Sequence, residues 1–432
     1  MKALHRVAFA WLSCALVFGL TPQQKQENID SFEYVWKTVR DKHWEKNPAG
    51  LNWQTVHDEF RPKMDRADTM EAARAVMMDM LGRLHQSHFS IVPSDLYSDL
   101  DSSHSSSGDN TTGLDVRVLG SQVLVTSVDG GSPAAAAGVR TGWVIRKIAD
   151  EDLQPLIAKV NEAYRDSSLR ELVLRRTVLS KLQGRPGDTT EIECLDAADR
   201  VVLKKIVHSE PKGVLTKFGY LWPAHVWIDT KRVNGNIGYA KFNMFLDPEH
   251  VMTAFGDSVQ SCVRCDGFII DLRGNPGGIG AMAMGMAGWF IDKPGQELGR
   301  LYLRDSSVKF VVYPRPATFA GPVAILVDGA SASTSEIFAG GMKDLGRARL
   351  FGSRTAAAAL PSVFEVLPNG DGFQYAIANY ISQGGKPLEG IGAIPDVEVP
   401  LTRTDLLAGK DQALETAIHW VEERKSAADG RK

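Results

Sequence analysis

The stretch with the most chemical content is Val323 to Gly346, VAILVDGASASTSEIFAGGMKDLG. An apolar, β-branched run (Val323, Ile325, Val327) ends at Asp328-Gly329, serines then alternate with small residues, and a helical pattern (Ile337, Phe338, Met342) begins at once. A serine at such a junction lies beside the unpaired N–H groups of a helix start, which can stabilise an oxyanion, so a nucleophile could stand there. The same residues also carry a purely structural meaning, because Ser333 followed by Glu336 is the pattern of a capping box. Partners elsewhere in the chain decide which role matters.

Two other segments have residue types suited to chemistry. Asn275-Pro276-Gly277-Gly278 interrupts the chain between an unbroken apolar strand, GFIIDLR (Gly267 to Arg273), and a helix from Ala281 to Phe290. The glycine pair permits positive φ and lets a substrate approach the backbone closely, while the lack of a following Lys-Ser/Thr excludes a phosphate loop. Cys262-Val-Arg-Cys265 has metal-like spacing, but no second pair and no nearby histidine completes a site, so the pair is structural and a bridge between the two stays open. No metal and no organic cofactor is expected.

These residues must be positioned by a chain of 432 residues, long enough for two or three domains. With 44% hydrophobic and 23% charged residues it is an ordinary globular composition, and a net charge of −3 gives no electrostatic reason to expect nucleic acid as a partner. Lys2 and Arg6 ahead of an apolar stretch from Val7 to Leu20 have the layout of a secretory signal peptide, assigned to residues 1–22. The protein is therefore expected to be exported, to the periplasm or the extracellular space, without a stable membrane span after removal of the signal. Trp11-Leu12-Ser13 before Cys14 is a poor lipidation box, which argues against a lipoprotein anchor.

Residues 23–98 form a helical domain, with Phe32, Val35, Trp36 and Val39 recurring at helical spacing and Val76, Met77, Met80, Leu81 and Leu84 repeating the stripe. Residues 99–111, serine-rich, make a flexible linker. Residues 112–210 are β-rich, with a helical insertion at roughly Leu153 to Leu182. From residue 211 to 408 strands and helices alternate, which implies a sheet with helices packed on it, and residues 409–432 form a C-terminal helix and tail. The fold class is multidomain α/β.

The β-rich unit is similar to a PDZ domain. Ser132-Pro133-Ala134 through Ile145, SPAAAAGVRTGWVI, matches that family's run from a helix into a strand, and Thr112-Gly113-Leu114-Asp115-Val116 resembles its carboxylate-binding loop. The resemblance implies that Gly113, Leu114, Asp115 and Val116 bind peptide, by backbone N–H groups on a C-terminal carboxylate and by strand addition. GFIIDLRGNPGG, VAILVDGASASTSEIFAGGMKDLGRA and the closing GIGAIPDVEVPL, with this unit upstream, resemble the serine peptidase family of C-terminal-processing (tail-specific) and tricorn core proteases. The likeness covers roughly residues 28 to 405.

That resemblance makes the second serine of Ser-Ala-Ser, Ser333, the nucleophile. The lysine base of tail-specific proteases falls on Ala358, inside Thr355-Ala-Ala-Ala-Ala-Leu360, and neither Lys343 nor Lys386 matches the motif, so a Ser-Lys dyad is excluded. The tricorn-like branch instead uses a Ser-His pair and a glutamate, which map to Ser87-His88 and Glu389. The expected roles are His88 as general base, Ser87 and Glu389 as its orienters, and Gly278 (or Gly277) with Thr334 as the oxyanion hole. Asp271 and Arg273 are expected to be structural anchors of a strand end, Asp396 a turn residue and His85 an exposed helix-end residue. The expected activity is a serine endopeptidase acting on proteins or peptides. The alternative is a binding protein for lipophilic ligands or protein C-termini on the same fold, suggested by the likeness of Thr355-Ala-Ala-Ala to retinoid-binding proteins.

Overall fold

The computed structural model describes residues 19–94, 110–165, 167–219 and 223–429. The expected signal peptide up to residue 18 and linker residues 99–109 lie outside the described residues. The first helix, Pro22–Lys42, opens on a capping box in which Thr21 Oγ1 accepts the Gln24 N–H at 3.2 Å and the Gln24 side chain accepts the Thr21 N–H at 3.0 Å. It packs against helices Trp53–Arg66 and Met70–Gly82 through the apolar stripe that the spacing predicts, Phe32, Val35, Trp36 and Val39 meeting Phe60, Met77 and Met80.

This helical core does not close on itself. Leu360, Leu367, Phe373 and Tyr375, nearly three hundred positions later, complete it. They belong to a hairpin of strands Ser362–Val366 and Gly372–Ala376, to which strand Ser90–Val92 adds antiparallel, Ser90 opposite Gln374 and Val92 opposite Gly372. Fully buried Asp371 secures the joint by pairing with Arg74 at 2.9 Å and accepting the Ser94 N–H at 2.8 Å. The boundary expected at residue 98 therefore cuts the chain but not the core, because a three-helix layer of this length leaves one apolar face uncovered.

The middle unit is an antiparallel sheet in the order Leu114–Leu119, Gln122–Val128, Val144–Ile148, Thr189–Leu195, Val201–Val207. The expected helical insertion is two helices, Leu153–Ala163 and Arg170–Lys181, and the second lies along the edge strand Leu114–Leu119. Thr111, expected in the linker, is buried here with its hydroxyl 2.7 Å from His208 Nδ1, so the unit begins inside the serine-rich stretch.

The third unit is built on a six-stranded sheet, Ile228–Val233, Ile237–Phe242, Gly267–Asp271, Val323–Val327, Arg349–Gly352, Val397–Glu398. All neighbours after the first pair run parallel. Helices Pro248–Ser261, Gly280–Ala287 and Thr334–Asp344 cover one face, and Gln412–Asp429 covers the other through Ala417 and Val421. Strands Gly267–Asp271 and Val323–Val327 are thus buried on both faces, which is why their sequences do not alternate. Cys262 and Cys265 form a disulfide, the bridge the sequence left open. Among the described residues no helix is long and apolar enough to cross a membrane.

Candidate active site

The carboxyl ends of the two central parallel strands carry the Gly277-Gly278 loop and the Ser333 turn side by side, where parallel sheets place their ligands. Each serine of the turn has a different task. Ser331 is fully buried, donates to the Leu272 carbonyl at 2.8 Å and accepts the Asp328 N–H at 3.0 Å, stapling the two strand ends together. Ser335 donates to the Asn275 carbonyl at 2.9 Å. The Ser333 hydroxyl donates to no group among the described residues and is partly open to solvent. Its backbone sits at φ 55°, ψ −118°, a conformation costly for a residue with a Cβ, of order 1–3 kcal/mol. Such a sharp turn between strand and helix lifts a side chain out of the sheet.

Glu336 holds that turn. Its fully buried carboxylate accepts the Ser333 N–H at 3.0 Å, the Ala357 and Ala358 N–H groups at 2.8 and 2.9 Å, and the Thr355 hydroxyl at 2.5 Å. Burial pushes the Glu336 carboxyl up to about 7 against the pull of these donors. The glutamate half of the expected capping box is therefore made, but the same carboxylate also fixes the segment Thr355–Ala358. The sequence spacing revealed the first task and gave no sign of the second.

The Ser87-His88 pair meets Glu389 as the resemblance implied. Glu389 Oε1 accepts the Ser87 N–H at 2.7 Å, and Glu389 Oε2 accepts the Ser87 hydroxyl at 2.8 Å and the Ala359 N–H at 3.0 Å. Ser87 Oγ lies 2.6 Å from His88 Nδ1. A hydroxyl has one proton, and the Ser87 proton goes to the carboxylate, so the proton of the second bond belongs to Nδ1. His88 Nε2 is left with its lone pair free. Burial, with the Arg176 charge second, pushes the His88 ring down to about 4, and burial raises the Glu389 carboxyl against its donors.

The two halves join through one irregular segment, Thr355–Ala359. Ser333 donates its N–H to the Ala358 carbonyl at 2.8 Å, and the next N–H, of Ala359, goes to Glu389. Ala358, where a tail-specific protease would carry lysine, is buried beside Leu172, Ala330, Ala332 and Ala356. Among the described residues no hydrogen bond links His88 to Ser333 directly. His88 (φ 62°) and Ala357 (φ 57°) share with Ser333 the left-handed region, so backbone strain concentrates at this place.

Of the expected oxyanion donors, Gly277 is corrected. Its N–H is committed to Asn275 Oδ1 at 2.9 Å. Its glycine identity has another reason, since a Cβ there would come within 2.7 Å of Ser333 Cβ and of the Ala332 carbonyl. The Gly278 and Thr334 N–H groups have no acceptor among the described residues, while the Thr334 hydroxyl donates to the Gly278 carbonyl at 2.8 Å and ties the two together.

The residues expected to bind peptide lie together at the start of the edge strand, but the N–H groups of Gly113, Leu114 and Val116 are occupied. Asn110 Oδ1 accepts the Thr112 and Gly113 N–H groups at 3.2 and 2.8 Å, Thr112 Oγ1 accepts the Leu114 N–H at 3.3 Å, and Asp115 Oδ1 accepts the Val116 N–H at 2.9 Å. Asp115 also pairs with Arg117 and Arg175 at 3.0 and 2.9 Å. Leu114 and Val116 point into the core. Arg117, 5% exposed, bonds Asp328 at the start of the Ser333 turn, so this unit is docked on the peptidase-like unit by a buried charge cluster.

Comparison with known proteins agrees with this geometry. Residues 236–399 match the model of peptidase family S41, and residues 24–82 match the tricorn protease C1 domain. A probable CtpA-like serine protease of Staphylococcus haemolyticus is 25% identical over 399 residues, covering 89% of this chain and 67% of that protein. A carboxyl-terminal-processing protease of Synechocystis is 25% identical over 416 residues, covering 91% of this chain and 87% of that protein. The photosystem II D1 C-terminal processing protease has a similar fold, with a TM-score of 0.57 at 20% identity over 88% of this chain and 94% of its own. The tricorn protease aligns with a TM-score of 0.51 at 17% identity over 93% of this chain and 37% of its own. A strained serine elbow at the strand ends, found in a chain with these relatives, is that of a serine peptidase whose residues 236–399 form a peptidase family S41 domain and whose residues 24–82 form a tricorn protease C1 domain.

Proposed function

We propose that the protein is an exported endopeptidase that cuts proteins or peptides by acyl-enzyme chemistry with His88, not a lysine, as base. Ser333 Oγ attacks the scissile carbonyl carbon while its proton passes to His88 Nε2. The C–N bond then breaks, and the leaving amine takes that proton from His88. Water adds to the acyl-enzyme with His88 again as base, and the Ser333 Oγ–C bond breaks to release the acid. Ser87 and Glu389 keep the ring in its reactive tautomer, and the Gly278 and Thr334 N–H groups receive the oxyanion. The single observation that carries this reading is the Glu389–Ser87–His88 relay, tied to Ser333 through Ala358 and Ala359. A carrier has no use for such a relay.

The names of the relatives support C-terminal segments as targets. The middle unit is read as a PDZ-type domain whose edge strand receives a substrate segment, with Asn110 leaving the loop when a carboxylate enters. Export is supported by the N-terminal sequence and by the Cys262–Cys265 disulfide, which persists in oxidising compartments.

The test compares wild type, Ser333→Ala and His88→Ala in cleavage of unfolded casein and of peptides with free or amidated C-termini, together with labelling by a fluorescent fluorophosphonate. Cleavage and labelling by wild type alone are the expected result. Retention of full activity by His88→Ala would overturn the assignment of the base.

A further inference from the structure

Helix Arg170–Lys181 of the middle unit packs against the residues that flank Ser333. Leu172 is buried against Ala330, Ala332, Ala356 and Ala358, residues on either side of Ser333, and Leu169 packs on the same patch. One stripe of this helix is spent on docking: Arg175 Nε binds Asp115 Oδ1 at 2.9 Å, and Glu171 lies 3.9 Å from Arg117 and against Gly329. The adjacent stripe runs from Leu172 to Arg176, four residues apart and so on one face, which sets Arg176 on the side of the helix that meets the Ser333 surroundings. Unlike Arg117 and Arg175, Arg176 has no hydrogen bond and no ion pair among the described residues.

Arg176 is exposed, so its guanidinium, without a protein partner among the described residues, is open to an arriving anion. The loop amides that would hold a carboxylate are closed by Asn110 and Thr112, whereas the fork of Arg176 is open. We propose that Arg176 is a specificity-determining residue that binds a substrate carboxylate close to the scissile bond, either the α-carboxylate of a chain end or an Asp or Glu side chain. This rests on the peptidase reading above and names the substrate class of that same site. The influence of the Arg176 charge on His88 is in keeping with this placement.

The experiment takes a casein-derived peptide whose cleavage site has been mapped by mass spectrometry. Three versions carry, near that site, an Asp with an amidated end, a free α-carboxylate, or Asn with an amidated end. Wild type, Arg176→Gln, Arg176→Lys and Arg176→Glu are compared by kcat/KM, and the same substitutions on a Ser333→Ala background by peptide Kd from fluorescence anisotropy. Wild type is expected to favour one carboxylate version over the neutral one by about tenfold, the scale of a charge-assisted hydrogen bond. Arg176→Gln brings the ratio to near one, Arg176→Glu inverts it, and Arg176→Lys retains part of it. The version that carries the preference identifies the source of the carboxylate. A wild-type ratio near one, a ratio unchanged in Arg176→Gln, or no binding of any version overturns the proposal. Cleavage without charge preference leaves the peptidase reading intact, while charge-dependent binding without Ser333-dependent cleavage sinks that reading and keeps the subsite.

Discussion

At the scale of single residues, the proposed site rests on hydrogen bonds that commit protons in advance. Glu389 takes the Ser87 proton, Ser87 takes the proton of His88 Nδ1, and Nε2 is left as the acceptor. Ser87→Ala removes the middle member, and kcat/KM is expected to fall about 10–100-fold, the usual effect of losing a group that orients another, with KM little changed. The pH profile gives a second reading of the same relay. Because the His88 pKa in the folded protein lies near 4, below the ordinary 6.5, the base stays unprotonated as pH falls through the range where an ordinary histidine would be lost. Glu389 is shifted the other way, so on acidification it binds its proton above the usual carboxylate range and releases Ser87 first. Stopped assays across pH 4–8 should therefore show an acid limb below 6.5 in wild type, and a limb displaced further down in Glu389→Gln. A limb at the ordinary histidine value would contradict the half-buried, neutral His88. The serine half of this site was legible because a strand ending in small residues before a helix is a local pattern. His88 had no local signal at all, and only its match to a family motif singled it out.

At the scale of elements, the Ser333 turn and the Gly277-Gly278 loop are one device. Asn275 joins them, its side chain fixing the Gly277 N–H and its carbonyl accepting both the Ala332 N–H at 3.0 Å and the Ser335 hydroxyl. The close approach leaves no room for a side chain. Gly277→Ala would set a Cβ 2.7 Å from Ser333 Cβ at a φ of 96°, so the turn must shift. We expect a loss of kcat/KM of at least about 100-fold and a lower thermal midpoint, by roughly 1–3 kcal/mol of strain. Wild-type activity in this variant would mean that the elbow is looser than described. From the sequence, Gly277 and Gly278 are expected to let a substrate approach the backbone closely. The approaching partner is the Ser333 turn, while the Gly277 N–H is committed to Asn275 Oδ1.

At the scale of the whole molecule, three units assemble one cleft, and the joints between them are as specific as the cores. Arg117 of the middle unit reaches Asp328 at the root of the Ser333 turn, while Asp115 and Arg175 complete the cluster. The Arg117 charge holds both Asp115 and Asp328 below the usual carboxylate range, in spite of burial. Arg117→Ala would leave these carboxylates buried without their cation, and we expect it to cost about 3–5 kcal/mol of stability, read as a fall in the urea midpoint. Faster amide exchange in helix Arg170–Lys181 should accompany it, and unchanged exchange there would show that the cluster does not hold the unit in place. The sequence by itself determined the order of units, the apolar stripes, the serine elbow and the absence of a lysine at position 358, because each is written in neighbouring residues or in motif spacing. The tertiary structure alone decided that the helical layer finishes its core with the hairpin Ser362–Val366 and Gly372–Ala376, and so brings His88 to the sheet ends. It also decided that Glu336 fixes the segment Thr355–Ala358 beside Ser333, that the expected peptide loop is closed by Asn110, and that Arg176 stands exposed and without a partner among the described residues. These depend on contacts between positions tens to hundreds of residues apart, which burial and hydrogen-bond satisfaction select only once the chain has folded.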